Sequence, residues 1–437
     1  MKSEIGVGLI GFGTVGTGVA RVLIENAELI RRRVGVPVTL VRIADLDITR
    51  DRGIAIPPGV LTTDIQQVLT DPRVDIVIEL MGGYDLAKRV ILDAVQRGKH
   101  VVTANKALLA VHGEEIFAAA SRQGIDLGFE ASVGGGIPVI RALMEGLAAN
   151  NIQSIYGIID GTSKYILSRM TSDGQRFDVV LEEAKRAGYA EADPTFDVAG
   201  TDSAHKLTIM VSLAYGTPVN FKEIYTEGIT GLTPLDIAYA KEFGFTIKLL
   251  AIAKYSDGEI EARVHPTMVP SASQIAKVDG VYNAIQLVGD AVEDVVLYGR
   301  GAGSMPTGSA VVSDVMAIAR NLLKDAAGRV PPASYQPDQR RPLRMRPMEE
   351  ITSLYYIRFM VVDRPGVLSQ IAGVLGRYGI SISSVLQQGR KEGRTVLGVS
   401  MTHMAKERDI QNALREINPM SYISEPTTLI RVEGRDE

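Results

Sequence analysis

Over residues 4–149 short apolar runs alternate with longer amphipathic stretches, the order in which strand and helix units assemble a parallel sheet. The runs Ile5–Ile10, Val38–Ala44, 75–80, His100–Thr103 and 126–131 are nearly continuous in Val, Ile and Leu, as strands covered on both faces require. This pattern predicts an α/β domain over 1–150 with a doubly wound parallel sheet. Beyond residue 150 the rhythm changes. A strand over 152–160, helical stretches and an alternating segment at 260–264 predict a second, α+β domain over 151–328. Pro331, Pro332, Pro337, Pro342 and Pro347 deny any long helix to 329–351, which reads as a linker whose Arg340, Arg341, Arg344 and Arg346 are solvated. Residues 352–437 form a last unit, ordered strand, helix, strand, strand, helix, strand. Its helices carry the spacing of one buried face: Val367, Leu368, Ile371, Ala372 and Leu375, then Ile410, Ala413, Leu414 and Ile417.

Composition narrows the chemistry. A chain of 437 residues suits three folding units, at roughly 100–200 residues each. With 47 basic against 51 acidic side chains the net charge is −4, which gives no bulk attraction for nucleic acid or an anionic membrane. Cysteine is absent, so disulfides, thiolate metal sites and thiol nucleophiles are excluded. No segment reaches the roughly 18 apolar residues of a membrane span, and a cytoplasmic protein is expected.

Gly11, Phe12, Gly13, Thr14, Val15 and Gly16 directly follow the first strand and open a helix near Thr14. That context marks a dinucleotide site. Gly11 permits the tight turn, Gly13 lets the backbone approach a pyrophosphate, and Gly16 lets the helix pack on the sheet. Free amides at the helix start, with the helix dipole, favour the phosphates. After the second strand, Asp45 or Asp47 would take the ribose hydroxyls of NAD, whereas Arg42, Arg50 and Arg52 would pair with the extra phosphate of NADP. Both coenzymes stay open on these residues. Lys106 follows the strand His100–Thr103, at the sheet edge where ligands bind, in a first helical turn that disfavours a cation. It is assigned to function.

The densest polar cluster lies in 188–206, where Glu191, Asp193, Asp197 and Asp202 precede Lys206. Asp202 and Lys206 are four residues apart on a helix whose apolar face carries Leu207, Met210, Val211 and Ala214, so they project from one side. A solvated ion pair would explain that spacing. Carboxylates crowded into a loop with Pro194 and Gly200 point instead to a site for an ammonium or hydroxyl group, with Lys206 as the candidate proton-transfer group. His100, His112, His205, His265 and His403 show no metal spacing and are assigned to structure, His205 being the one possible exception beside Lys206.

These motifs, with Thr103-Ala104-Asn105-Lys106, the run 130–138, Gly161-Thr162-Ser163 and Gly301-Ala302-Gly303, make the chain resemble homoserine dehydrogenases that carry a C-terminal ACT domain, over essentially its whole length. The resemblance implies a Rossmann-type NAD(P)-binding domain, a catalytic and dimerisation domain, and a ferredoxin-like ACT domain. It implies hydride transfer between L-homoserine and L-aspartate 4-semialdehyde in threonine and methionine biosynthesis. Phe12, Thr14, Val15, Lys106, Gly188 and Gly303 then contact coenzyme, together with Gly11, Gly13, Gly16, Arg42 and Glu191. Glu191, Asp202 and Asp197 hold substrate, Lys206 is the proton donor, and Lys106 and Asp202 join it in catalysis. Glu130, Val133, Gly135 and Ile137 match a monovalent-cation site, for sodium, where backbone carbonyls offer hard oxygen ligands. The run Asp363-Arg364-Pro365-Gly366-Val367-Leu368 matches an amino-acid-binding ACT loop, with threonine as the implied effector and a homodimer or homotetramer as the implied assembly. Ser381 and Ser383 stand where an asparagine is common in such domains.

The missing cysteine fits this reading, because oxidising an aldehyde to an acyl phosphate needs a thiol, whereas reducing a carbonyl does not. Two rival readings share the glycine motif. An ACT-containing hydroxyacid dehydrogenase would need an arginine, acid and histidine constellation that has no evident place. A non-catalytic amino-acid sensor would bind the dinucleotide as a signal. Absorbance at the reduced-nicotinamide band on mixing with homoserine separates the sensor from the enzymes.

Overall fold

The computed structural model describes residues 2–387 and 395–434. Its first part runs β1 (Ile5–Ile10), α1 (Thr14–Glu25), α2 (Ala27–Val34), β2 (Val38–Ala44), β3 (Leu61–Thr62), α3 (Ile65–Thr70), β4 (Ile76–Glu79), α4 (Asp85–Gln96), β5 (His100–Thr103), α5 (Lys106–Gln123) and β6 (Leu127–Gly128). All six strands are parallel, in the order β3-β2-β1-β4-β5-β6. Strand order reverses between β1 and β4, which opens a crevice at their carboxyl ends, the position where such sheets bind ligands. Every residue of β1, β4 and β5 is buried, including the polar His100, Thr103 and Glu79 at strand ends, as strands covered on both faces require. The apolar run 126–131 pairs only at Leu127–Gly128, because the Glu130 amide turns to donate 2.8 Å to Asp314 Oδ2.

The chain continues through α6 (Val139–Arg141), β7 (Ile152–Ile158), α7 (Gly161–Asp173), α8 (Phe177–Arg186), α9 (Thr195–Val198), α10 (Thr201–Tyr215), β8 (Tyr225–Thr226), α11 (Pro234–Glu242), β9 (Phe245–Ser256), β10 (Glu259–Pro270), β11 (Tyr282–Gly289), β12 (Glu293–Arg300) and α12 (Ser304–Leu323). Helix α12 returns to the first sheet and packs along α1, with Ser304 Oγ donating 2.7 Å to the Thr14 carbonyl. Next come β13 (Arg344–Met345), β14 (Thr352–Val362), α13 (Val367–Arg377), β15 (Ile382–Gln387), β16 (Thr395–Thr402), β17 (Ala405–Lys406), α14 (Glu407–Ile417) and β18 (Ile423–Val432).

The strands after β6 form one sheet, in the order β12-β11-β7-β9-β10-β18-β14-β16-β15, with β8 and β13 on β10 and β17 on β14. The C-terminal unit has its own core, yet its sheet is not separate: β18 pairs in parallel with β10 at Thr267↔Arg431 and Met268↔Val432. Within that unit the order β18-β14-β16-β15 is that of a ferredoxin-like fold.

Segment 329–351 holds no long helix, but Arg340 and Arg346 are covered and paired, and Arg344 is paired while half exposed. Arg340 bonds Glu114 of α5, Arg344 bonds Glu259 and Glu350, and Arg346 bonds Glu259 and Glu261. Two further charged contacts tie the C-terminal unit to the middle of the chain. Arg358 Nε of β14 donates 2.6 Å to Asp236, which is fully buried and also caps α11 through Thr233. Arg431 of β18 bonds Glu407 of its own unit and Glu227 beyond it. Removing one partner of such a pair leaves a buried charge without compensation. Asp236→Ala should therefore lower the unfolding free energy by about 3 kcal/mol in chemical denaturation; a loss below about 1 kcal/mol, the scale of an exposed pair, would show that the contact does not weld the units.

Candidate active site

The first turn answers its sequence motif residue by residue. Gly11 has φ +97°, and a Cβ there would stand 2.6 Å from the Leu80 carbonyl oxygen. On Gly16 a Cβ would meet the Gly11 carbonyl oxygen at 2.2 Å. Around Gly13 the space is open: beyond the adjoining backbone no atom lies within 4 Å of the Cβ position, and no side chain caps the start of α1. The amides of that helix start are left for a ligand, which is the requirement of a pyrophosphate. The cleft beside them is lined by Gly11, Gly13, Asp45, Leu46, Met81 and Gly82 among others. Its floor is braced by buried Glu79, which accepts 2.7 Å hydrogen bonds from Thr103 Oγ1 and the Met81 amide. A dinucleotide fits this donor set.

Asp45 does not stand free beside the cleft. Its carboxylate accepts the Phe12 amide at 2.5 Å and the Arg52 guanidinium at 3.3 Å, and Arg52 covers the Phe12 ring at 4.6 Å. Arg42, expected among the coenzyme contacts, is engaged instead by Asp71 at 3.3 Å and by the Gly59 carbonyl. Sequence could not foresee that partner, because Asp71 follows α3 on a different strand-helix unit. Thr14 and Val15 open α1, and Gly303 precedes α12, whose first residue bonds Thr14. The glycine motif and the Gly301–Gly303 stretch thus meet in space.

At the opposite wall α5 and α10 pack together. Asn105 caps α5 through the Leu108 amide and donates 2.8 Å to the Gly83 carbonyl, which sets the position of Lys106. Gly200, with φ +84°, turns the chain into α10, and the first two turns carry Asp202 and Lys206. Asp202 is 5% exposed and accepts two ammonium groups: Lys206 Nζ at 2.5 Å on one oxygen and Lys106 Nζ at 3.1 Å on the other. Lys206 Nζ also donates 2.6 Å to the Ile159 carbonyl. Burial pushes the Asp202 carboxyl up, but the two lysines outweigh it and hold it below the usual range. Burial pulls Lys106 down, and Asp202, with Asp197 and Asp160, more than reverses this.

Asp160 and Asp197 lie beside Asp202, with carboxylate oxygens within 4.8 Å of one another. Asp160 caps α7 through the Ser163 amide at 2.6 Å, and burial, then Asp202 and Asp197, push it up to about 7. Asp197 accepts Thr162 Oγ1 at 2.7 Å and is raised by burial. The cluster therefore joins Lys106, Asp197, Asp202 and Lys206, and adds Asp160, which sequence reasoning missed. Its signal was an aspartate at the end of an apolar run, one residue before a helix. Gly188 and Glu191 lie on the loop after α8, with Glu191 exposed and outside the buried cluster. His205 packs between Phe196 and Phe221, and burial pulls it down to about 4, so it is a neutral ring and no proton donor at pH 7.

Comparison with known proteins shows the family of the chain. A family model described as the NAD-binding domain of homoserine dehydrogenase matches 11–130, the homoserine dehydrogenase model matches 138–316, and an ACT domain model matches 355–419. The homoserine dehydrogenase of Neisseria gonorrhoeae is 47% identical over 430 residues, 98% of this chain and 99% of that protein. This chain belongs to the homoserine dehydrogenase family. A crystal structure of a homoserine dehydrogenase from Thiobacillus denitrificans has a TM-score of 0.93 at 46% identity, covering 98% of each chain. A hyperthermophilic archaeal homoserine dehydrogenase in complex with NADPH has a TM-score of 0.61 at 26% identity, covering 74% of this chain and 98% of that one. The chain is thus an oxidoreductase of amino-acid biosynthesis with an NAD(P)-binding domain and an ACT domain. Neither the sensor nor the hydroxyacid reading is favoured.

The residues matching a cation site lie in the turn after β6. Gly134 and Gly135 have φ of +72° and +60°. The Glu130 carboxylate is committed to the Ile140 and Arg141 amides at 2.8 and 2.9 Å, and burial, then Asp314, push it up to about 7. A cation held in this turn would draw on carbonyl oxygens.

Asp160 gives the site a pH signature. With a folded value of about 7 against 3.8 in an unfolded chain, the folded protein binds a proton here more readily. That contribution is complete below about pH 4 and is lost as pH rises through about 7. Asp160→Asn keeps the helix cap and should make the fall in melting temperature between about pH 5 and 8 shallower by calorimetry; an unchanged slope would show that Asp160 does not titrate there.

Proposed function

We propose that Lys206 is the proton donor and acceptor in the interconversion of L-aspartate 4-semialdehyde and L-homoserine. The observation that carries this is the Asp202 carboxylate shared between Lys206 and Lys106. One ammonium hydrogen of Lys206 remains beyond those directed at Asp202 and Ile159, and it is the one available to a substrate oxygen. A bound nicotinamide coenzyme supplies the hydride chemistry. Lys206 Nζ protonates the oxygen on which negative charge develops during reduction, and takes that proton back in the reverse direction. Asp202 aims the Lys206 ammonium. Lys106 adds a second positive group, while Asp197 and the exposed Glu191 receive the substrate ammonium.

Gly11, Phe12, Gly13, Thr14, Val15, Gly16, Gly188 and Gly303 are assigned to the coenzyme. NADP is the preferred coenzyme in this reading. Asp45 is tied to the Phe12 amide and Arg52, so it is poorly placed to select ribose hydroxyls, and Arg50 and Arg52 supply positive charge nearby. The NADPH complex of the archaeal relative supports the same assignment. Val133, Gly135 and Ile137, with the Glu130 main chain, are assigned to a monovalent cation such as sodium.

Threonine is the proposed effector, in the cavity lined by Phe359, Asp363, Pro365, Gly366, Gln387 and Ser400 among others. Gly366 starts α13 with φ +89° and no side-chain cap, which suits an amino-acid carboxylate. A chain of contacts leads from β18 of the ACT unit toward the active site. Arg431 holds Glu227, two residues later the Ile229 amide donates 2.9 Å to the Val198 carbonyl, and Val198 follows Asp197. A homodimer or homotetramer is supported by β12, a sheet edge with no buried residue. A cytoplasmic location goes with this biosynthetic role.

Lys206→Ala should lower homoserine turnover by about 10³-fold while the coenzyme dissociation constant stays within about threefold; retained turnover would remove Lys206 from the mechanism. The kcat/KM ratio should favour NADP over NAD by at least about 10-fold, the worth of one charge-assisted contact; a ratio favouring NAD would contradict the Arg50 and Arg52 assignment. Glu227→Gln should preserve turnover and weaken threonine inhibition by about 5-fold or more in initial-rate assays, and unchanged inhibition would refute this route.

A further inference from the structure

Behind Lys206 lies a buried cation for which the chemistry above has no use. Lys164, on the second turn of α7, is 4% exposed, and both acceptors of its ammonium are neutral: the Tyr282 carbonyl at 2.5 Å and Asn283 Oδ1 at 2.8 Å. Burying an ammonium on neutral acceptors is costly, and burial pulls Lys164 down to about 8. Asn283, 2% exposed, turns its amide the other way and donates 3.3 Å to the Ile159 carbonyl. That same carbonyl accepts Lys206 Nζ at 2.6 Å. One continuous line of contacts therefore runs from Lys164 through Asn283 and the Ile159 carbonyl to Lys206.

The line also touches the coenzyme side. A Cβ on Gly301 would stand 2.0 Å from Asn283 Nδ2, so only glycine lets this backbone lie against the amide. Two residues later Gly303 leads into α12, whose Ser304 bonds Thr14 at the nucleotide cradle. Asn283 is thus wedged between the loop beside the coenzyme and the carbonyl that directs the catalytic ammonium.

We propose that Asn283, oriented by Lys164, is a positioning residue that fixes the direction of the Lys206 ammonium through the Ile159 carbonyl. The proposal rests on Lys206 as the proton donor. Neither residue touches substrate. Lys164 fixes which way the Asn283 amide faces, because its ammonium only donates and so demands the carbonyl end. The amide end then faces Ile159 and holds its oxygen in line with Lys206. Small errors in such alignment are expensive in turnover and cheap in binding.

The test compares Asn283→Asp, Lys164→Met and Lys206→Ala in the full-length enzyme. Asn283→Asp keeps shape and the Lys164 contact but replaces the donor facing Ile159 with an acceptor; Lys164→Met fills similar volume without the charge, so the inference does not depend on one variant folding. Each should lower kcat for homoserine oxidation by about 10- to 100-fold. The homoserine KM and coenzyme affinity should stay within about threefold, and the solvent deuterium isotope effect on kcat should rise as proton transfer becomes limiting. If both variants keep kcat within about twofold of the parent while Lys206→Ala is inactive, the inference is overturned and Lys206 stands. If Lys206→Ala itself retains turnover, the proton-donor reading fails instead, and the inference with it.

Discussion

One carboxylate, that of Asp202, is held between two ammonium groups in a site from which most water is excluded. Taking a carboxylate out of water costs several kcal/mol unless charge and hydrogen bonds compensate. Here Lys206 comes from the same helix and Lys106 from the helix of another domain. The arrangement keeps Asp202 ionised, and an ionised Asp202 holds the two lysine side chains on either side of it. Intrahelical spacing alone would make a pair worth a few tenths of a kcal/mol; burial and the second lysine turn the same spacing into a buried charge cluster.

Because Lys106 starts α5 and Asp202 lies in the first turn of α10, the contact spans the nucleotide-binding sheet and the larger mixed sheet. Whatever sets the relative placement of the two sets the active site. Helix α12 locks the first sheet to the end of the second domain along α1. On the far side the ACT unit is joined through the β10 and β18 ladder, Arg358 with Asp236, and Arg431 with Glu227. The ACT unit therefore continues the sheet of the second domain, and strain there has a covalent and hydrogen-bonded path inward.

Much of this was legible in the chain. Gly11 and Gly16 behave as their spacing demands, since their requirements are local: a left-handed turn and a close approach of backbone. The i, i+4 relation of Asp202 and Lys206 was readable for the same reason. What escaped depended on distant partners. Nothing near Arg42 in sequence announces Asp71, and nothing in the proline-rich segment announces that Arg346 meets Glu259 and Glu261 across the sheet. The β18 strand reads alike whether its neighbour is β14 alone or also β10, so the shared sheet was invisible. Asp160 and Lys164 were hidden because a capping aspartate and a helical lysine look ordinary until burial is known.

The most direct measurement is kcat for homoserine oxidation by Asp202→Asn, which keeps the side-chain shape and removes only the charge shared by the two lysines. A fall of about 10³-fold with coenzyme affinity unchanged is predicted. Turnover within about threefold of the parent would contradict the claim that this carboxylate governs the site.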